Sequence, residues 1–174
     1  TPVSFDVTEE NSTQEGGITL IKVDKPNMAQ KGTISVEKTG EVFFGVNVSG
    51  EEDKDVIYQP VYKVKGLAGA VYEITADEDV ITPDGTLRYH KGDVVDTVTT
   101  DEDGTAKSKE LYLGKYTVVE TKAPTGMVIN KEKHSVELTY AGQDVAVTET
   151  ATSFVNERQK VKISLEKILE QDET

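Results

Sequence analysis

The chain has 174 residues, enough for one domain with a packed core, or one domain plus parts of its neighbours. Hydrophobic residues make up 36% and charged residues 29%, with no tryptophan and recurrent Val and Thr, a soluble balance that favours strands over helices. A formal net charge of −13 repels nucleic acid and anionic membranes, and the absence of cysteine excludes disulfides, thiolate catalysis and Cys-based zinc sites.

In chain order, alternating polarity predicts strands over residues 33–38, 42–48, 57–64, 70–75, 94–99, 116–121, 134–140 and 145–155. Turn chemistry punctuates them at Ser49-Gly50, Pro83-Asp84-Gly85, Asp103-Gly104 and Ala141-Gly142. The one helix-like stretch is 164–172, and its start alternates like a strand. Short strands at this spacing predict an all-β, immunoglobulin-like sandwich. No signal peptide, membrane-spanning run or sorting signal is read, and the abrupt ends suggest a fragment of a longer chain.

A weak internal repeat bears on domain organisation. QKGTISVEK at 30–38 resembles QKVKISLEK at 159–167, and VSFDVT at 3–8 echoes HSVELT at 134–139. The expected division is residues 1–29 as the C-terminal strands of a preceding module, 30–158 as one complete module, and 159–174 as the first strand of a following one.

Three polar residues fall on faces that should be apolar. Strand alternation places Lys38 with Ile34 and Val36, Glu120 with Tyr116 and Val118, and Asn156 with Phe154. Burying such groups without partners is costly. One resolution is a buried Lys–Glu ion pair with a hydrogen-bonded Asn. Another is chemistry: burial drives an amine and a carboxylic acid toward their neutral forms, a neutral amine is a nucleophile, and a carboxyl can polarise an amide and move protons. Lys38 would then attack the Asn156 side-chain carbonyl with Glu120 as proton relay, and ammonia would leave. A third resolution is bland: each residue lies near a strand end and simply reaches solvent.

The stretch YTVVETKAPTG at 116–126 resembles the "E-box" of Cna-B-type (SpaA-like, prealbumin-like) domains of Gram-positive pilins and surface adhesins. GLAGAVYEI at 66–74 resembles that family's second conserved strand, TDEDGTA at 100–106 the hairpin before the E-box, and LGKY at 113–116 the entry to its strand. The resemblance covers residues 30–158 in the right order. It implies a prealbumin-like β-sandwich in which a first-strand Lys is joined to a last-strand Asn by an isopeptide bond promoted by the E-box Glu. Residue by residue these are Lys38, Asn156 and Glu120. It also implies a cell wall-attached, extracellular stalk module whose partners are neighbouring modules of the same polypeptide, with no cofactor, no membrane insertion and no turnover of a separate substrate.

Three departures qualify the match. Met127 stands where the family often has Tyr, residues 41–65 are longer than a minimal module needs, and no Tyr-Pro-Lys pilin motif is present. The extra length, with Tyr58-Gln59-Pro60-Val61-Tyr62, predicts an added edge hairpin. By the repeat, Lys167 corresponds to Lys38, and Asp24 is a candidate acceptor for the preceding module; both are expected to stay unlinked because no second E-box glutamate accompanies them.

Other signals have plain explanations. Asp101-Glu102-Asp103-Gly104 is a fragment of a calcium loop and reads as a solvated hairpin turn, and Asp77-Glu78-Asp79 as an exposed loop. His90 and His134 make no metal-ligand spacing. The sequons at Asn11 and Asn47 mean little in most bacteria. The runner-up function is a ligand-binding adhesin domain that uses 41–65 against a host or matrix surface. Exposed aromatics at Phe43, Phe44, Tyr58 and Tyr62 would favour it; buried ones would favour the stalk. A hydrolase has no supporting constellation.

Overall fold

Period-two burial runs through the core strands of the computed structural model, which describes residues 6–10, 12–21, 28–51, 54–145, 147–162 and 164. In chain order the strands are β1 (Ser12–Glu15), β2 (Ile18–Ile21), β3 (Lys31–Glu51), β4 (Lys54–Gly66), β5 (Val71–Ala76), β6 (Val80–Ile81) and β7 (Leu87–Tyr89). They continue with β8 (Val94–Thr99), β9 (Thr105–Lys107), β10 (Leu111–Tyr112), β11 (Gly114–Lys122), β12 (Lys133–Leu138) and β13 (Val147–Asn156).

Two sheets face each other across one core. The first is organised around β3, which pairs β13 along one edge and β10, β9 and β4 in succession along the other. The second has the order β12-β11-β5-β8, all antiparallel. Ile34, Val36, Leu111 and Phe154 of the first sheet meet Tyr72, Ile74, Tyr116, Val118, Val98 and Leu138 of the second. Alternate residues of each strand reach this layer because successive side chains point to opposite faces. The fold is therefore the expected all-β sandwich. Among the described residues, β1 and β2 pair only with each other.

The pairing of β13 with β3 is parallel. It runs from Val147 opposite Lys31 to Asn156 opposite Gly40, and puts Phe154 opposite Lys38. The first and last strands of the sandwich are thus neighbours over ten residues of β13.

Residues 33–38 and 42–48 were expected as separate strands, but Thr39-Gly40-Glu41 does not interrupt β3. Gly40 pairs Lys65 on one side and Asn156 on the other. A Cβ there would lie 2.6 Å from Leu67 Cδ1, so the glycine permits close packing and is no break in the strand. Beyond it, β3 and β4 continue as a long hairpin, the added feature expected in 41–65. Short β6, β7, β9 and β10 are too brief to show alternation in sequence. Apart from Ser164, the helix-like stretch 164–172 lies outside the described residues, as do Asp24 and Lys167.

Two glycines fix the Lys38 backbone. The Lys38 N–H donates to the Gly104 carbonyl at 2.7 Å, and the Leu67 N–H donates to the Lys38 carbonyl at 3.0 Å. A Cβ on Gly66 would stand 1.9 Å from the Asp103 carbonyl oxygen, and one on Gly104 would stand 2.3 Å from that of Lys38. Both obstacles are backbone and cannot swing aside. Asp101 shapes the adjoining hairpin by accepting at Oδ1 from the N–H groups of Asp103 (3.1 Å) and Thr105 (2.8 Å), so this acidic run has a structural role. Gly66→Ala is expected to cost at least about 2 kcal/mol in urea unfolding. Gly45→Ala, where no atom lies within 4 Å of the added carbon, should stay within about 0.5 kcal/mol of the parent.

Candidate functional site

Lys38, Glu120 and Asn156 come from three strands and meet inside the sandwich. Lys38 follows Ile34 and Val36 on the inner face of β3, and Glu120 follows Tyr116 and Val118 on β11. Asn156 follows Phe154 on β13. Their exposures are 0%, 2% and 3%, so none of them reaches solvent. The strand-end reading, in which each side chain escapes to water, does not describe this geometry.

The contacts link all three. Lys38 Nζ donates to Asn156 Oδ1 and lies 3.3 Å from Glu120 Oε1. Asn156 Nδ2 donates to both carboxylate oxygens of Glu120, at 2.9 and 3.1 Å. The backbone N–H of Asn130 donates to Glu120 Oε2 at 2.6 Å. The parallel register explains the reach: Asn156 lies two residues beyond Phe154, the partner of Lys38, so the lysine extends along the strand to meet it.

Burial pulls the Lys38 ammonium below the ordinary lysine value, while the charge and hydrogen bond of Glu120 oppose that shift. Burial dominates, and it favours the uncharged amine. The arrangement holds an amine, an amide carbonyl and a carboxyl group in mutual contact, buried from solvent. That is the equipment for acyl transfer from an amide to an amine.

An aromatic wall closes the site. The Phe154 ring lies 5.8 Å from Lys38 Nζ, packs against Tyr72 at 4.7 Å, and stacks on His134 at 3.9 Å. His134 Nδ1 is 2.7 Å from Thr152 Oγ1. Tyr72 is wholly buried and directly opposite Glu120 in the β5–β11 pairing. Alternation in 70–75 marks Tyr72 as inward-facing, but its place beside Glu120 depends on a pairing register that one strand does not reveal. Asn130 acts through its backbone, which leaves no side-chain signature in sequence.

The loop after β11 joins the site to the end of β13. The Val128 N–H donates to the Glu157 carbonyl at 2.8 Å, and the Gln159 N–H to the Gly126 carbonyl at 3.0 Å. Arg158 stacks over Tyr62 at 3.5 Å and pairs with Glu41 at 3.0 Å, tying the same segment to the root of the β3–β4 hairpin. On that hairpin Phe43 pairs Tyr62, Val46 pairs Pro60, and Val48 pairs Tyr58, so these side chains share one face. Phe43, Phe44 and Tyr58 are 61%, 55% and 68% exposed, while Tyr62 is partly covered by Arg158.

The profile of one protein family, described as SpaA, prealbumin-like fold domain, matches residues 60–153, just over half of the chain. No curated protein matches the sequence. Among solved structures, the chain is similar to the major pilin SpaD of Corynebacterium diphtheriae (23% identity, TM-score 0.47, covering 78% of this chain and 34% of that one). It is similar also to GBS52, the minor pilin of Streptococcus agalactiae (18%, 0.46, 80% and 49%). A third is BcpA, the major pilin subunit of Bacillus cereus (22%, 0.42, 75% and 29%). The chain thus spans about half or less of the length of each of these structures.

Glu120→Ala strands the Lys38 charge in the core and is expected to cost at least about 3–5 kcal/mol. Replacing both charges with apolar groups, as Lys38→Met with Glu120→Leu, removes the stranded charge. The double variant should unfold at a higher urea concentration than Glu120→Ala alone, although it carries one more substitution.

Proposed function

The chain belongs to the SpaA family of prealbumin-like fold domains, and from that premise we propose that it is a structural stalk module of a Gram-positive surface protein that cross-links itself between Lys38 and Asn156. The observation that carries this reading is the closed set of contacts among Lys38, Glu120 and Asn156 in a site without solvent.

The chemistry follows from the contacts. Glu120 takes a proton from the Lys38 ammonium, a transfer favoured because a neutral pair is less costly to bury than two ions. The free amine adds to Cγ of Asn156, forming the new C–N bond, and the carbonyl electrons move onto Oδ1. Collapse of this intermediate breaks the Cγ–Nδ2 bond. Glu120 contacts both nitrogens, 3.3 Å from Nζ and 2.9 Å from Nδ2, so it passes the first proton to the departing nitrogen and then takes the second from the newly bonded Nζ, which the ammonia carries away as ammonium. The balance is one amine plus one primary amide giving one secondary amide plus ammonia. The reaction occurs once per chain and consumes no external substrate.

The bond would enclose a loop between residues 118 positions apart. By analogy with a disulfide around a loop of about 100 residues, it would stabilise the fold by roughly 4–5 kcal/mol through the unfolded state. Under tension it would also keep roughly 400 Å of potential extension from being released. In a chain without cysteine it takes the place of a disulfide staple. In this reading residues 30–158 are the complete module, with the end of one neighbour in 1–29 and the start of another in 159–174. Its setting is the cell wall-attached, extracellular surface, and its partners are the adjoining modules of the same polypeptide.

A second reading has its own support. Phe43, Phe44 and Tyr58 are exposed on a hairpin that extends beyond the sandwich, the arrangement expected of an adhesive contact with a host or matrix surface. The two readings are compatible, because the hairpin and the buried triad use different parts of the fold.

Intact mass of the denatured chain should be lower than the sequence mass by one ammonia. Lys38→Ala, Glu120→Ala and Asn156→Ala should each restore the full mass, and an unmodified parent chain would overturn the cross-link. For the second reading, Phe43→Ser with Tyr58→Ser should abolish adhesion to immobilised matrix proteins while leaving the mass deficit intact.

A further inference from the structure

We propose that Tyr72 is a positioning residue for the Lys38–Asn156 reaction, its hydroxyl taking over as donor to Glu120 when the Asn156 nitrogen leaves. This rests on the cross-linking reading above and assigns a role to a residue outside the reacting triad.

The starting point is an unusual polar atom. Tyr72 is fully buried, yet among the described residues its hydroxyl completes no hydrogen bond of ordinary geometry, although it lies near enough to the Glu120 carboxylate to interact with it. Buried hydroxyls are seldom left so, because an unmade hydrogen bond costs free energy that folding does not recover. The ring has little freedom to seek a partner elsewhere. It is held against Phe154 at 4.7 Å, and its backbone pairs directly with that of Glu120 across β5 and β11. The Glu120 carboxylate is close enough for its charge to act on the phenol. Burial first, and Glu120 second, push the phenol well above the ordinary tyrosine value. The hydroxyl therefore keeps its proton and is a donor.

Glu120 loses donors during the reaction. Before it, Asn156 Nδ2 supplies hydrogens to both Oε1 and Oε2, and the Asn130 N–H supplies one to Oε2. When the Cγ–Nδ2 bond breaks, both Nδ2 hydrogens depart in the leaving ammonium ion, together with two of the three that came from the Lys38 ammonium, and Glu120 is left ionised. The new secondary amide carries a single N–H, so Glu120 exchanges two donated hydrogens for at most one. A carboxylate with a vacated lone pair in an apolar site is costly. Tyr72 is a buried donor beside Glu120 whose hydroxyl has not closed a full hydrogen bond, and a turn of its C–O bond aims the hydrogen. Its contribution grows as the ammonia departs, so it favours the late stage of the reaction over the ground state.

Tyr72→Phe deletes the hydroxyl and leaves the ring packing in place. Cell-free synthesis followed by timed intact-mass measurement across a pH series gives the rate of ammonia loss. The variant is expected to cross-link at least about tenfold more slowly, as befits loss of a hydrogen bond to a charged group, with an altered pH profile. Wild-type rate and profile in Tyr72→Phe would overturn the proposal. A second measurement does not need the bond. Asn156→Ala removes the same donor from Glu120 and cannot cross-link, so in it the Tyr72 hydroxyl proton should be protected from exchange in NMR spectra. Its resonance should shift on adding Glu120→Gln. A rapidly exchanging proton, or one indifferent to that change, overturns the Tyr72 assignment even if the parent chain proves cross-linked. An unmodified parent mass combined with a protected, Glu120-sensitive proton instead upholds the contact and removes the cross-linking reading.

Discussion

A lysine ammonium with no solvent exposure lies between Phe154 and Glu120, and the surrounding structure is organised by the need to answer its charge. Water would solvate that charge at little cost; an apolar core does not. Glu120 answers it electrostatically, Asn156 joins the two through its amide, and the Asn130 N–H fixes the carboxylate from behind. Such a cluster is poor as a simple stabiliser, since apolar side chains of similar volume would serve at least as well. Its value is chemical in the proposed reaction: the same desolvation that makes the ion pair costly makes the amine reactive. The product amide carries no charge, so the reaction removes the buried ammonium.

Placing that lysine depends on backbone that leaves no room for adjustment. Gly104 accepts the Lys38 N–H while Gly66 passes against the Asp103 carbonyl, and Gly40 allows Leu67 and Asn156 to close on β3. Tight passage at these three points aligns β3 with β13 so that Phe154 and Asn156 follow the lysine along its own face. The aromatic wall of Tyr72, Phe154 and His134 then keeps the cluster dry. Positioning in this protein is therefore a property of glycines and rings as much as of the polar residues.

The inward placement of Lys38, Glu120 and Asn156 was legible because it needs only the two-residue period of a strand. Their mutual proximity was not, since alternation within a strand is silent about which strand lies beside it; the E-box resemblance supplied that information. Thr39-Gly40-Glu41 looked like a break because glycine is usually a breaker in isolated sequence, whereas here it accommodates close packing on both sides of β3. The hairpin in 41–65 was legible from its surplus length, but the exposure of Phe43 and Tyr58 was not, because alternation says that a residue shares a face and not that the face is covered. Tyr72 was read as core, and only cross-strand register reveals its neighbour as a carboxylate.

The parallel pairing of β3 and β13 carries a mechanical consequence. The chain enters the sandwich at the Lys31 end of β3 and leaves it at the Asn156 end of β13, so a pull on the two ends drags neighbouring strands past each other lengthwise. The ladder between them is loaded in shear, with its hydrogen bonds sharing the force at once. An antiparallel arrangement of the same two strands would place entry and exit at one end and let the bonds peel open singly, as a zipper does. The backbone topology therefore resists rupture before any covalent link is counted.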